Sequence, residues 1–325
     1  MNFFYFLSIL TIVLLLNSSK IGLCTNLLDL PSKYKLQKKI IPSVGGLIIF
    51  INLIICYIYF VFFYNEIIKF NFLLFISLFF LIGLIDDIYN INSKYRILLS
   101  ITVSLFFFFL DDTFIIEKIY SSFFNSEFYF GNFKIPITII CIVFFFIAMN
   151  MMDGINCLLI SFSFFSIVIY NFIIFGLPNL DILSLVFLVT LFLMFYFNFN
   201  SQIFLGNSGA SLIAGYFIYL LITNNYHSRY DVLEITSIPL IMGIDMVRIF
   251  FFRILNNKNI LDRDNNHFHH ILLKKFGLLN ALIIYINLSF GPIFLAKFTN
   301  INIIFFFFIS PLLYFIIINY CKETK

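Results

Sequence analysis

Charged residues are scarce in this chain of 325 residues, where Asp, Glu, Lys and Arg together make up only 11%. Hydrophobic residues make up 62%, and the mean hydropathy is +1.04. A water-soluble domain needs far more polar surface than this composition can supply. The composition therefore excludes a soluble globular protein and predicts an integral membrane protein.

Cysteine is also rare, and the five cysteines are scattered without a C-x-x-C pair. This pattern indicates neither a disulfide framework nor a zinc site. The net charge of +4 is small, and basic residues at membrane edges usually set orientation, so a nucleic-acid partner is excluded. No internal repeat, low-complexity tail or soluble domain is visible. We interpret residues 1–325 as a single transmembrane domain.

Long apolar segments predict the fold. A helix that crosses a bilayer needs about 20 mostly apolar residues, and eleven segments are plausible spans. The predicted fold class is all-α integral membrane, a polytopic bundle of about 11 transmembrane helices. The segments are approximately 2–17, 44–64, 70–86, 95–110, 134–152, 155–176, 181–197, 208–223, 234–255, 278–297 and 301–320.

The distribution of basic residues predicts how the chain is oriented. When the loops are assigned alternately to the two sides, fourteen Lys and Arg residues fall on one side and five on the other. Cytoplasmic loops carry the excess of Lys and Arg, so the N-terminus is expected outside and the C-terminus in the cytoplasm. The longest outer loop, about 111–133, is expected to be an ordinary solvated connection.

Five polar clusters stand at membrane edges, and this topology places all of them on the cytoplasmic side. Ionisable residues are costly in a membrane and are functional candidates there, and a glycine-containing helix start can bind phosphate. Their coincidence on one side predicts a shared pocket. The clusters are Asp86-Asp87, Asn150 to Asn156 (NMMDGIN), Asn198 to Ser211 (NFNSQIFLGNSGAS), Asp245 with Arg248, and Asp262 to His270 (DRDNNHFHH).

Each cluster also has an ordinary structural interpretation. The two aspartates could end a helix in water, NMMDGIN has good turn-forming residues, and Asp245 with Arg248 could be a structural ion pair. Three of the four histidines lie in DRDNNHFHH, and imidazoles can bind phosphate or metal. Oxygen ligands elsewhere favour magnesium over zinc.

Five strings, in this order, resemble the polyprenyl-phosphate N-acetylhexosamine-1-phosphate transferases, relatives of the phospho-N-acetylmuramoyl-pentapeptide transferase. The resemblance covers nearly the whole chain, and the histidine motif is more similar to the branch that uses UDP-N-acetylglucosamine or a related UDP sugar. The strings are DLPSKYKLQKKIIPSVGGL (Asp29 to Leu47), LIGLIDDIYNINSK, NMMDGIN, IFLGNSGAS and DRDNNHFHH.

The resemblance implies transfer of a sugar 1-phosphate from a UDP-N-acetylhexosamine to undecaprenyl phosphate, which releases UMP. The implied cofactor is Mg²⁺, with Mn²⁺ as the alternative, and the implied location is the bacterial inner membrane with a cytoplasm-facing site. Such a reaction initiates surface polysaccharide synthesis of the O-antigen, teichoic acid or capsule type. The implied partners are the two substrates and the lipid bilayer, and a homodimer is compatible with the resemblance.

The resemblance also implies roles for individual residues. Asp86, Asp87 and Asp153 would be catalytic, with one of the paired aspartates acting as a base. Phe204 matches an aromatic residue that stacks on uracil. The metal ligands would be Asp87, Asp153 and Asn207. The residues implied in substrate binding are Lys35, Lys94, Asn150, Asn156, Asn198, Phe204, Arg263, His267, His269 and His270.

Some positions depart from the family pattern. Asn207 and Asn156 stand where aspartates are usual, and an amide oxygen can bind Mg²⁺ but brings no charge. Either the sugar specificity has drifted or the chain is a catalytically weakened homologue. A membrane transporter or lipid flippase is the other alternative, although transporters generally bind near the midplane and contain inverted repeats.

Overall fold

The structure is a computed structural model, and it describes residues 2–31, 39–64, 70–174, 176, 181–227, 230–260, 265–299 and 301–323. Almost all of its regular elements are α-helices, as the long apolar segments predict. The helices are α1 (Asn2–Leu16), α2 (Ser18–Thr25), α3 (Gly45–Tyr64), α4 (Phe70–Tyr89), α5 (Ser93–Leu110), α6 (Lys134–Met152), α7 (Leu158–Val168), α8 (Ile182–Phe199), α9 (Gly206–His227), α10 (Val232–Ser237), α11 (Leu240–Leu255), α12 (Phe268–Thr299) and α13 (Ile303–Glu323).

The eleven predicted segments all contain helix, but the count of eleven spans is not confirmed. Within the described ranges, eight helices are long and apolar enough to cross a membrane. A ninth span results if α1 and α2, which meet at a bend of 68°, are counted as one. Helix α11 has only 16 residues, and α7 with the π-helical turn that follows it ends at Ile174. The chain is therefore a polytopic helical membrane protein, and its described residues form eight or nine clear spans.

Helix α9 lies at the centre of the bundle. Of the residues in its 18-residue apolar stretch, 78% are buried inside the protein, whereas the same share is 22% for α5 and for α13. It packs most extensively on α4. A Cβ atom at Gly83 of α4 would lie 2.2 Å from the carbonyl oxygen of Asn207, and one at Gly46 of α3 would lie 2.2 Å from the amide nitrogen of Gly209. Glycine at these two positions therefore lets the start of α9 contact the backbones of both neighbours.

The loop of about 111–133, which was expected to be a solvated connection, forms an antiparallel hairpin. Its strands are β3 (Lys118–Ser121) and β4 (Ser126–Tyr129). Asn125 takes a left-handed conformation between them, with φ 47°, which asparagine tolerates in a turn. A second short pair, β1 (Leu28–Asp29) with β2 (Ile41–Pro42), lies at the other end of the bundle.

Candidate active site

A cleft of about 640 Å³ opens at one end of the bundle. The C-terminal ends of α4, α6, α8 and α11 meet there with the first turns of α5, α9 and α12, and β1 forms one edge. All five polar clusters of the sequence contribute to this end of the molecule or support it. Of the residues predicted to form the site, those that line the cleft are Asp87, Asn150, Asp153, Asn156, Asn198, Phe204, Asn207, His267 and His270.

Asp87 connects the end of α4 to the start of α9. Its two carboxylate oxygens accept hydrogen bonds from the backbone N–H groups of Asn207 at 2.8 Å and Ser208 at 2.9 Å. The N-terminus of a helix carries partial positive charge and unpaired N–H groups, so a carboxylate is stabilised there. Gly206, with φ 78°, lies close to this carboxylate, and a Cβ atom added at Gly206 would be only 2.8 Å from Asp87 Oδ2. The glycine motif therefore holds a carboxylate at the cleft wall.

Asp86 does not line the cleft, although it was predicted to be catalytic. Its side chain is 1% exposed and forms an ion pair with Arg96 of α5, with 2.8 Å between Oδ2 and Nη1. Consecutive residues of a helix point about 100° apart, so neighbours in sequence can face different partners. Arg96 itself lines the cleft. Asp86 thus reaches the site through Arg96, and its direct catalytic role stays a prediction.

Asp153 ends α6 and faces the cleft from the tight turn that follows. Its pKa is raised to about 7, first by desolvation of the carboxyl group and then by the charges of Asp87 and Asp29. Asp153 is therefore repelled by the other two carboxylates, and a bound cation would relieve the repulsion.

Amide side chains fix the turn and the far wall of the cleft. Asn156 donates to Ser201 Oγ at 2.7 Å, and Asn150 donates to the Phe146 carbonyl at 2.8 Å. Asn198 accepts from the Cys157 amide at 2.5 Å and donates to the Ile203 carbonyl at 2.8 Å. Since both ends of the Asn198 amide bind backbone, its contacts are those of a positioning residue.

Phe204 lies on the loop before α9, where backbone hydrogen bonds attach it to the chain entering α3. Its amide donates to the Pro42 carbonyl at 2.8 Å, and its own carbonyl accepts from the Gly45 amide at 3.0 Å. The ring is partly exposed and lines the cleft beside Asn207. A fixed aromatic face of this kind can stack on a planar base.

The three histidines are brought together at the start of α12, but they are not equivalent. His267 and His270 line the cleft, whereas His269 is 2% exposed and stacks on His267, with 5.4 Å between the ring centroids. Asp245 of α11 accepts a hydrogen bond from the Phe268 amide at 3.1 Å and lies 3.0 Å from His267 Nδ1. Asp245 therefore fixes both the start of α12 and the His267 ring.

Of the remaining predicted cations, the structure describes only Lys94. Lys94 is exposed and is not among the residues that line the cleft. Lys35 and Arg263 lie outside the described residues.

Three charged residues that sequence reasoning did not select do line the cleft: Asp29, Arg96 and Arg253. Arg253 is 2% exposed and donates to the carbonyl of Ile260. For Arg96 there was a signal, because it lies ten residues after Asp86 and the short connection between α4 and α5 brings the two helix ends together.

The donors in the cleft fit a magnesium ion. Within the described ranges, no three His, Cys, Asp or Glu side chains lie close enough to hold a metal ion by themselves. Mg²⁺ commonly binds through only one or two carboxylates, together with water and substrate phosphates. Asp87, Asp153 and the amide oxygen of Asn207 offer such a set in one cleft.

The fold and the cleft together define a polytopic membrane protein with a polar, carboxylate-bearing site at one end of its helices. Residues 69–225 match the model of glycosyl transferase family 4. The chain is 28% identical over 292 residues to a probable undecaprenyl-phosphate N-acetylglucosaminyl 1-phosphate transferase of Bacillus subtilis (strain 168). The matched region covers 87% of this chain and 80% of that relative. Both comparisons support glycosyl transferase family 4 as the family of this chain.

Proposed function

We propose that this protein transfers N-acetylhexosamine 1-phosphate, with N-acetylglucosamine 1-phosphate as the first candidate, from a UDP sugar to undecaprenyl phosphate. The observation that carries the proposal is the cleft itself. It gathers Asp87, Asp153, Asn207, His267 and His270 at the ends of membrane helices. A soluble nucleotide and a lipid headgroup can meet only at such an edge. The name of the Bacillus subtilis relative supports the same substrates.

The proposed reaction joins two phosphates. An oxygen of the lipid phosphate attacks the phosphorus that carries the sugar, a new P–O bond forms, and the bond to the bridging oxygen breaks as UMP leaves. Two anions must approach each other, so positive charge and hydrogen-bond donors are required around them. His267, His270, Arg96 and Arg253 offer donors in the cleft. Phe204 would hold the uracil ring.

Magnesium is part of this proposal. Asp87, Asp153 and Asn207 would hold the ion, and the bound ion would screen the phosphate charges and polarise their oxygens. Asp87 is already fixed by the start of α9, so it would present its remaining lone pairs to the cleft without rearrangement.

The proposed location is the bacterial inner membrane with the cleft facing the cytoplasm. The support is the excess of Lys and Arg in the loops assigned to that side. UDP sugars are cytoplasmic metabolites, which agrees with this orientation. The product, a lipid-linked sugar diphosphate, would begin the assembly of a surface polysaccharide.

The direct test is UMP release by the purified protein with Mg²⁺, undecaprenyl phosphate and a panel of UDP sugars. We expect UMP with a UDP-N-acetylhexosamine, and we expect Asp87→Asn to lower the rate by about a hundredfold or more, because it removes charge from the reacting centre. Asp112→Asn, an exposed aspartate away from the cleft, should leave the rate unchanged. Absence of UMP with every UDP sugar would contradict the proposal and favour a weakened homologue or a transporter.

A further inference from the structure

The two adjacent aspartates at the end of α4 have different partners. Asp87 binds the N–H groups at the start of α9, whereas Asp86 binds the guanidinium of Arg96. Each carboxylate therefore has its own positive partner, a helix N-terminus for one and an arginine for the other. The pair is stabilised by the protein itself, and the two aspartates have separate tasks.

Arg96 lies between Asp86 and the cleft. Its Nη1 donates to Asp86 at 2.8 Å and its Nη2 donates to Ser93 Oγ at 3.0 Å. Its side chain is 16% exposed, against 1% for Asp86, and it lines the cleft. The aspartate and the serine, which itself lines the cleft, thus hold the guanidinium in place at the cleft wall.

A guanidinium held in this way suits phosphate. Arginine presents a rigid, planar set of N–H donors that matches phosphate geometry, and its charge does not depend on pH in the working range. Without Asp86 the long side chain would sample several rotamers, and the donors would no longer be fixed before the substrate binds.

We propose that Asp86 is a positioning residue that acts through Arg96, and that Arg96 binds a substrate phosphate in the cleft. This inference rests on the proposed function, since it takes the phosphates of the UDP sugar and of the lipid as the ligands. In this proposal, Asp86 does not contact the reacting atoms and does not act as a base.

The test is a double-mutant cycle on UMP release, with KM measured for each substrate separately. We expect Asp86→Asn and Arg96→Gln each to raise KM for the same phosphate substrate about tenfold or more, because a charge-assisted hydrogen bond is lost or misdirected. The double variant should be no worse than Arg96→Gln alone, because Asp86 has no task without the arginine. The substrate whose KM changes identifies the phosphate that Arg96 contacts.

Conservative variants and controls make the result specific. Arg96→Lys should recover part of the affinity, since it keeps the charge but loses the planar set of donors. Glu117→Gln, which removes an exposed ion pair with Lys134 outside the cleft, should leave both KM values unchanged. Retained elution as a single species on size-exclusion chromatography shows that each variant is folded.

Two results would overturn the inference. One is a fall in kcat of about a thousandfold for Asp86→Asn that is equally large in the Arg96→Gln background. A base or a metal ligand would behave in this way. The other is an Arg96→Gln enzyme with both KM values unchanged. If the unmodified protein releases no UMP at all, the proposed function fails instead, so the two failures are distinguishable.

Discussion

Gly154 lies where the turn after α6 meets the histidines of α12. A Cβ atom there would be 2.3 Å from His269 Nε2 and 3.0 Å from His270 Nε2. His269 is buried and stacked on His267, so it has little room to move. The small residue of NMMDGIN is therefore required by the histidine motif that lies more than a hundred residues later.

Replacing this glycine should displace the histidines. We expect Gly154→Ala to lower UMP release about tenfold or more and to cost about 1–3 kcal/mol of unfolding free energy, as overpacking does. Steady-state rates and thermal unfolding in detergent would measure both effects. Gly291→Ala is the matched control, because a Cβ atom at that helical glycine has no neighbour within 4 Å. Equal behaviour of the two variants would contradict the proposed contact.

Asp153 makes the site sensitive to pH. Its pKa is raised to about 7 by desolvation and by the charges of Asp87 and Asp29, so the carboxyl group is neutral below that pH and charged above it. A neutral carboxyl group is a poor metal ligand.

We therefore expect Mg²⁺ affinity to fall as the pH is lowered from 8 to 6. In a plot of the rate of UMP release against pH, we expect the acidic limb to move to lower pH when the Mg²⁺ concentration is raised. Calorimetric titration of Mg²⁺ at several pH values would measure this. The limb should disappear in Asp153→Asn, which binds the ion weakly at every pH. An affinity independent of pH in the unmodified protein would contradict the assignment.

At the scale of the element, the start of α12 is held by one buried carboxylate. Asp245 accepts hydrogen bonds from Arg248 Nη2 and from the Tyr314 hydroxyl, both at 2.7 Å, and it also contacts His267 and the Phe268 amide. It connects α11, α12 and α13 at the edge of the cleft. Sequence reasoning considered the Asp245 and Arg248 pair either structural or functional, and its contacts are those of a support.

Removing this carboxylate should loosen the element and then the site. Breaking a buried ion pair by removing one partner costs about 3–5 kcal/mol, so we expect Asp245→Ala to unfold at a clearly lower temperature and to lose most UMP release. The control is Glu234→Gln, which breaks the partly exposed pair with Lys297 and should cost less than about 1 kcal/mol. Similar unfolding temperatures for the two variants would show that Asp245 is not a support.

At the scale of the whole molecule, the sequence predicted which polar residues would gather. In a chain that is 62% hydrophobic, polar side chains at membrane edges are costly unless they share a polar site. Asp87, Asp153 and His267 therefore meet in one cleft. The family resemblance pointed to the same residues, including Phe204 and Asn207.

The directions of side chains could not be predicted in the same way. Asp86 and Lys94 lie within the predicted motifs, yet neither lines the cleft, because the rotation of each helix is set by its packing partners. The number of spans also could not be predicted from the sequence. Hydropathy finds apolar helices but does not separate a full span from the short helices α7 and α11. The hairpin β3–β4 lacked the alternating pattern that would have indicated it.

We propose that the cleft transfers a sugar together with its phosphate. The most direct measurement uses UDP-N-acetylglucosamine labelled with ³²P at the phosphate attached to the sugar, with undecaprenyl phosphate in detergent and Mg²⁺. We expect the label to move into the lipid phase while UMP appears in the aqueous phase in equal amount. Release of labelled UDP, with only the sugar transferred, would contradict this proposal.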